Sequence, residues 1–137
     1  MEFICNKNEI SDAINNVSKA VSSKTTIPAL EGIKINLSYN ILELTGYDLS
    51  MGIKAQINVK SEDTGVCVIN ARLFSDIIRK MPQENILINV DEMLNVNIKS
   101  GKTNYNILAL SSEEYPNLPD FDKEKNLFKI NQSILKS

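Results

Sequence analysis

The stretch VCVINARLFSDIIRKMP, from Val66 to Pro82, decides the fold. Val66 to Ile69 is β-branched and bounded by a turn signal, Asp63-Thr64-Gly65, and so reads as a strand. Asn70 follows as an N-cap residue, whose short side chain can accept from a free backbone N–H. Leu73, Phe74, Ile77, Ile78 and Met81 then recur at helical spacing, and Pro82 closes the helix. Three alternating apolar segments come next: Ile86 to Val90, Leu94 to Ile98 and Tyr105 to Leu110. Asp91-Glu92 and Ser100-Gly101-Lys102 supply the turns between them.

The residues before Val66 carry the same pattern. Met1 to Cys5 reads as a strand, Asn8 as an N-cap, and Ile10, Ile14, Val17 and Val21 as the apolar stripe of a helix. Ser11, Asn15, Ser18 and Lys19 occupy its opposite side. A polar connection from Ser22 ends at Pro28. Three β-rich segments follow, marked by Ile33, Ile35 and Leu37, then Ile41, Leu42 and Leu44, then Ile53, Ala55, Ile57 and Val59. Tyr39-Asn40 and Gly46-Tyr47-Asp48 read as their turns. The chain is therefore strand–helix–three strands, twice, with a period of about 64 residues. The expected fold is α+β: a duplicated β-α-β-β-β unit with two helices packed on antiparallel sheets. The polar sides of both helices would share one exposed surface.

Beyond Leu110 the character changes. Ser111 to Lys125 is polar, carries Pro116 and Pro119, and holds five acids against two lysines, which reads as a linker. Phe128 to Ile130 resembles another strand and Gln132 onward a helix start, as if a second domain were barely entered.

Composition excludes several classes. The 137 residues carry 15 Lys+Arg, 17 Asp+Glu and no His, a net charge of −2, so a globally basic nucleic-acid binder and histidine catalysis are both out. The longest apolar runs are only a few residues, too short for a membrane span, and MEFICNKNEI lacks the basic and apolar regions of a secretory signal. Cys5 and Cys67 lie in strand-like runs with no base nearby and no partner histidines, so they read as buried apolar residues rather than nucleophile, disulfide or metal ligands. The isolated glycines form no phosphate loop, and no catalytic, cofactor or metal constellation emerges.

Asn, Ile and Lys are abundant, while arginine occurs only at Arg72 and Arg79. Seven residues apart on one helix, the two point nearly the same way, and Lys80 lies about 80° from Arg72. Residues 70–80 hold three cations and one acid, Asp76. This face is either a phosphate-binding surface or a merely solvated one. The latter reading makes the chain a generic α+β protein-interaction domain without DNA contact. On the last strand Tyr105 and Ile107 share a side, which is core or, at a sheet edge, a partner surface.

Several motifs together resemble the bacterial DNA polymerase III β subunit family, the replicative sliding clamps. They are Phe3, Val17-Ser18-Lys19-Ala20-Val21, the run Lys24-Thr25-Thr26-Ile27-Pro28-Ala29-Leu30-Glu31-Gly32, Leu44-Thr45-Gly46-Tyr47-Asp48-Leu49, Ala71-Arg72-Leu73-Phe74, Lys99-Ser100-Gly101-Lys102 and Glu114-Tyr115-Pro116-Asn117-Leu118-Pro119. The resemblance implies a clamp domain over residues 1–119, with residues 120–137 a linker and the truncated start of a second domain. It implies a ring of two chains joined head to tail around double-stranded DNA, a non-catalytic role in holding the polymerase to its template, and a cytoplasmic, nucleoid-associated location. DNA contacts fall on Lys24 and Arg72, with Arg79, Lys80, Lys19 and Lys7 as further candidates on the same inner face. Tyr105, Ile107 and Lys102 match positions that meet the neighbouring chain. Asn104 departs from the pattern, since a second basic residue is often found there. Contacts with the polymerase and the clamp loader fall in a groove between later domains.

Overall fold

Eight strands and two helices build the described part of the chain, which in this computed structural model comprises residues 1–21 and 27–116. Strand β1 (Glu2–Asn6) leads directly into α1 (Lys7–Ser18). The cap of α1 is Asn6 rather than Asn8: the Asn6 side chain accepts from the Glu9 N–H at 3.1 Å. Asn6 followed three residues later by an acid is the better capping pair, so the helix starts as soon as the strand ends. Strands β2 (Gly32–Ser38), β3 (Ile41–Tyr47) and β4 (Gly52–Asn58) form the first meander, preceded by a 3-10 helix at Pro28–Glu31. Strand β5 (Thr64–Asn70) opens the second unit and α2 (Ala71–Arg79) follows, capped by Asn70 on the Leu73 N–H as expected. Strands β6 (Asn85–Val90), β7 (Asn95–Ser100) and β8 (Thr103–Leu108) complete it. The two caps, Asn6 and Asn70, keep the expected period of about 64 residues.

The units are interleaved rather than side by side. One sheet has the order β1-β6-β7-β8 and the other β4-β3-β2-β5, all antiparallel. Each unit thus gives its first strand to the other unit's meander. Phe3 of β1 stands opposite Ile88 of β6, and Ile69 of β5 opposite Ile33 of β2. Single bridges at Ile4–Lys60 and Val68–Leu110 tie the sheets together beyond their strand ends. The helices pack on each other and on the sheets, and one core holds Phe3, Ile10, Ile14, Ile35, Leu44, Phe74, Ile78 and Ile98.

Four local expectations need correction. Leu73 is half exposed, because it lies about 100° from Phe74 at the rim of the stripe, while Ala71 is buried in its stead. Gly46 and Tyr47 belong to β3, not to a turn, and Thr64-Gly65 begins β5. The reversal after β3 is built on Asp48, whose carboxylate accepts from the Ser50 and Met51 N–H groups while Leu49 takes a φ of +78°. Finally, the segment after Leu110 is not featureless. Ser112–Glu114 is a 3-10 helix, and Tyr115 is buried with Ala29, Leu30, Tyr47 and Val68 in a small second core. The expected linker and strand within residues 117–137 lie outside the described residues.

Candidate nucleic-acid interface

A shallow groove of about 690 Å³ runs between α1 and α2. Asn15 and Ser18 from the polar flank of α1 line one wall, and Arg72, Ser75, Asp76 and Arg79 of α2 the other. The apolar stripes of both helices are turned into the core, so their polar flanks meet outside it. That is the shared surface the helix periodicity predicts, and it gathers the chain's only two arginines.

The basic residues differ in how they are held. Arg72 is exposed and makes no ion pair among the described residues. Its place in the first turn of α2 sets a cation against the positive end of the helix dipole, which α2 itself does not favour. Arg79 lies in the last turn and pairs with Asp76 one turn back. Lys80 is the exposed C-cap of α2, and Lys19 the exposed C-cap of α1; neither lines the groove. Lys7 is half-buried, and its ammonium donates to the carbonyls of Arg79 (3.2 Å) and Met81 (2.7 Å), closing the C-terminal end of α2. Lys24 falls outside the described residues. Sequence reading missed the groove's other acid, Glu31, which arrives from the 3-10 helix after the loop. Its position depends on tertiary packing, whereas the Asp76–Arg79 pair was visible as an i,i+3 spacing.

At the end of one sheet, β8 is an edge strand. Tyr105 and Ile107 are half-buried, opposite Ile98 and Val96 and packed against the core, while Leu108 on the other face is exposed. Lys102 is exposed in the two-residue turn before β8, where Gly101 supplies a φ of +60°. Asn104 is tied across the outer face: the Asn97 amide donates to Asn104 at 2.6 Å and to Asn106 at 2.7 Å.

Both thiols are buried, and burial pushes each up to about 12, far from a reactive thiolate. Among the described residues no group of three potential ligands could hold a metal, and no helix is long and apolar enough to cross a membrane.

Two helices side by side over exchanged antiparallel sheets, with a polar interhelical groove and β8 at a sheet edge among the described residues, define an α+β domain of the DNA clamp fold. Residues 1–119 match the family described as DNA polymerase III beta subunit, N-terminal domain, and the chain belongs to that family. It is 37% identical to the beta sliding clamp of Halalkalibacterium halodurans over 99% of this chain and 38% of that protein. The crystal structure of the DNA polymerase sliding clamp from Bacillus subtilis matches with a TM-score of 0.84 at 36% identity, over 93% of this chain and 38% of the other. The beta subunit from DNA polymerase of Streptococcus pyogenes matches with a TM-score of 0.83 at 27% identity, covering 88% and 33%. The chain therefore spans well under half the length of these relatives.

Proposed function

We propose that the chain serves as the N-terminal domain of a replicative sliding clamp, a ring of two chains joined head to tail that encircles double-stranded DNA and keeps the replicative polymerase on its template. The observation that carries this reading is the convergence of Arg72 and Arg79 on the α1–α2 groove of a chain from this family. Duplex DNA presents one negative charge per ~1.7 Å of axis, so a basic lining finds a phosphate wherever the ring stands. Phosphate contacts carry no sequence information, and among the described residues the groove offers no aromatic side chain for base stacking. Such a surface holds DNA without fixing register, which sliding requires.

In this reading Arg72 and Lys24 make the leading contacts, Arg79, Lys80 and Lys19 add to the basic field, and Lys7 contributes mainly by holding the end of α2. The β8 edge, with Tyr105, Ile107 and Lys102, meets the neighbouring chain, and residues 120–137 lead into a second domain. Polymerase and clamp loader dock on domains beyond this one. The role is non-catalytic, needs no cofactor, and places the protein on bacterial DNA in the cytoplasm.

The test is a double charge reversal, Lys24→Glu with Arg72→Glu, in the clamp chain that carries this domain. Duplex binding and retention on nicked circular plasmid should fall, and the salt dependence should flatten by about one unit of slope for each phosphate that is no longer engaged. Sedimentation should show the dimer unchanged. Unaltered DNA binding, or dissociation of the dimer, overturns the assignment of faces.

A further inference from the structure

Among the described residues the charges that line the groove between the helices balance, which is unexpected for a surface that meets a polyanion. Its charged lining residues are Arg72 and Arg79 against Asp76 and Glu31. Asp76 also holds Arg79 in an ion pair within α2, leaving Arg72 as the arginine of the groove without one among the described residues. The pair is exposed on both sides, so it adds little to the stability of the fold, and Asn in place of Asp76 should leave the helix intact. Its consequence lies in what the groove can offer a phosphate.

We infer that Asp76 is a tuning residue that weakens the grip of the clamp on DNA by holding Arg79 away from the backbone, so that one arginine per domain, not two, engages a phosphate. This rests on the DNA-encircling role proposed above and deepens it. A ring needs enough positive charge to stay centred on the duplex. Each additional direct phosphate contact steepens the energy wells that the ring must leave as it moves. Each contact multiplies affinity by about fivefold to tenfold near 0.1 M salt, following the counterion released per phosphate. An acid one turn from the second arginine competes with a phosphate for its guanidinium, while Arg72 has no ion pair among the described residues.

The experiment measures binding of the clamp chain carrying this domain to a fluorescent duplex oligonucleotide across a salt titration. Asp76→Asn should tighten binding about fivefold or more and steepen the salt slope by about one unit per chain. Adding Arg79→Gln to Asp76→Asn should cancel the gain, since the two changes act through one contact. Glu92→Gln, which makes the same change of net charge in the β6–β7 turn, should leave binding near the parent value. A gain that survives Arg79→Gln, or that Glu92→Gln reproduces, overturns the inference by reducing it to bulk charge. No gain with Asp76→Asn overturns it outright. Arg72→Gln separates the two levels: if it weakens binding while Asp76→Asn changes nothing, the DNA-facing groove stands and the tuning role falls. If Arg72→Gln has no effect, the DNA-facing reading itself falls.

Discussion

Gly46→Ala should destabilise the domain by about 2–4 kcal/mol, although Gly46 sits inside β3, where alanine is ordinarily the better residue. A Cβ at this position would lie 2.9 Å from the Val17 carbonyl carbon and closer still to its oxygen. These are backbone atoms at the end of α1, so no side chain can rotate out of the way. The Val17 carbonyl also accepts from the Ala20 N–H at 3.0 Å, closing the last turn of the helix. Alanine must therefore lift α1 from the sheet, with an overpacking cost of about 1–3 kcal/mol and about 1 kcal/mol more for the disturbed hydrogen bond. Without that clash the substitution would stabilise by about 0.4–1 kcal/mol through the unfolded chain, so the two outcomes differ in sign. Urea unfolding reads the difference. With a slope of about 1–2 kcal/mol per molar, the midpoint should fall by roughly 2 M. Displacement of α1 should also widen the groove that carries Arg72 and Arg79. An alanine variant as stable as the parent would refute the close approach of helix and strand, and with it the position of α1 against α2.

The remaining predictions concern the edges of the fold. Tyr115→Ala should cost about 3 kcal/mol by opening the small core with Leu30, Tyr47 and Val68. Tyr115→Phe should cost under about 1 kcal/mol, because its hydroxyl donates to the Thr45 carbonyl only at a long 3.4 Å; equal losses would show that the ring is not buried. Donation from the Met51 and then the Ser50 N–H holds the exposed Asp48 carboxyl below its usual 3.8. A depressed folded value stabilises above the unfolded pKa, and the gain vanishes as pH falls through the folded one. The drop in stability between about pH 4 and pH 2 should thus be smaller in Asp48→Ala than in the parent, measured by urea midpoints along that range; identical acid limbs would contradict the turn. Cys5 and Cys67, pushed up to about 12 by burial, should resist iodoacetamide at pH 8 in the folded chain and react in urea. Rapid native labelling would place a thiol at the surface.

Much of this was legible in the chain itself. The duplicated unit, the α2 cap at Asn70, the helix stripes apart from Leu73 and the clustering of Arg72 with Arg79 follow from period and spacing, because side chains on a helix or strand face where their number puts them. Local signals failed where two readings fit one residue. Gly46 resembles a turn glycine, yet it is there for close packing against Val17, which lies far away in sequence. Tyr115 sits in a polar, proline-bearing run and is nonetheless buried, since the partners that bury it come from β3, β5 and the first 3-10 helix.

The amino-acid sequence by itself determined that two strand–helix–meander units exist, and which side of each element is apolar. Only the tertiary structure decided that the units exchange their first strands. An alternating strand such as β1 can satisfy its backbone and bury one side against the edge of either meander, so nothing local distinguishes the two pairings. The choice falls to the packing of both helices in one core. That same packing brings Asn15 and Ser18 of the first unit beside Arg72 and Arg79 of the second, and so creates a groove that neither half possesses alone.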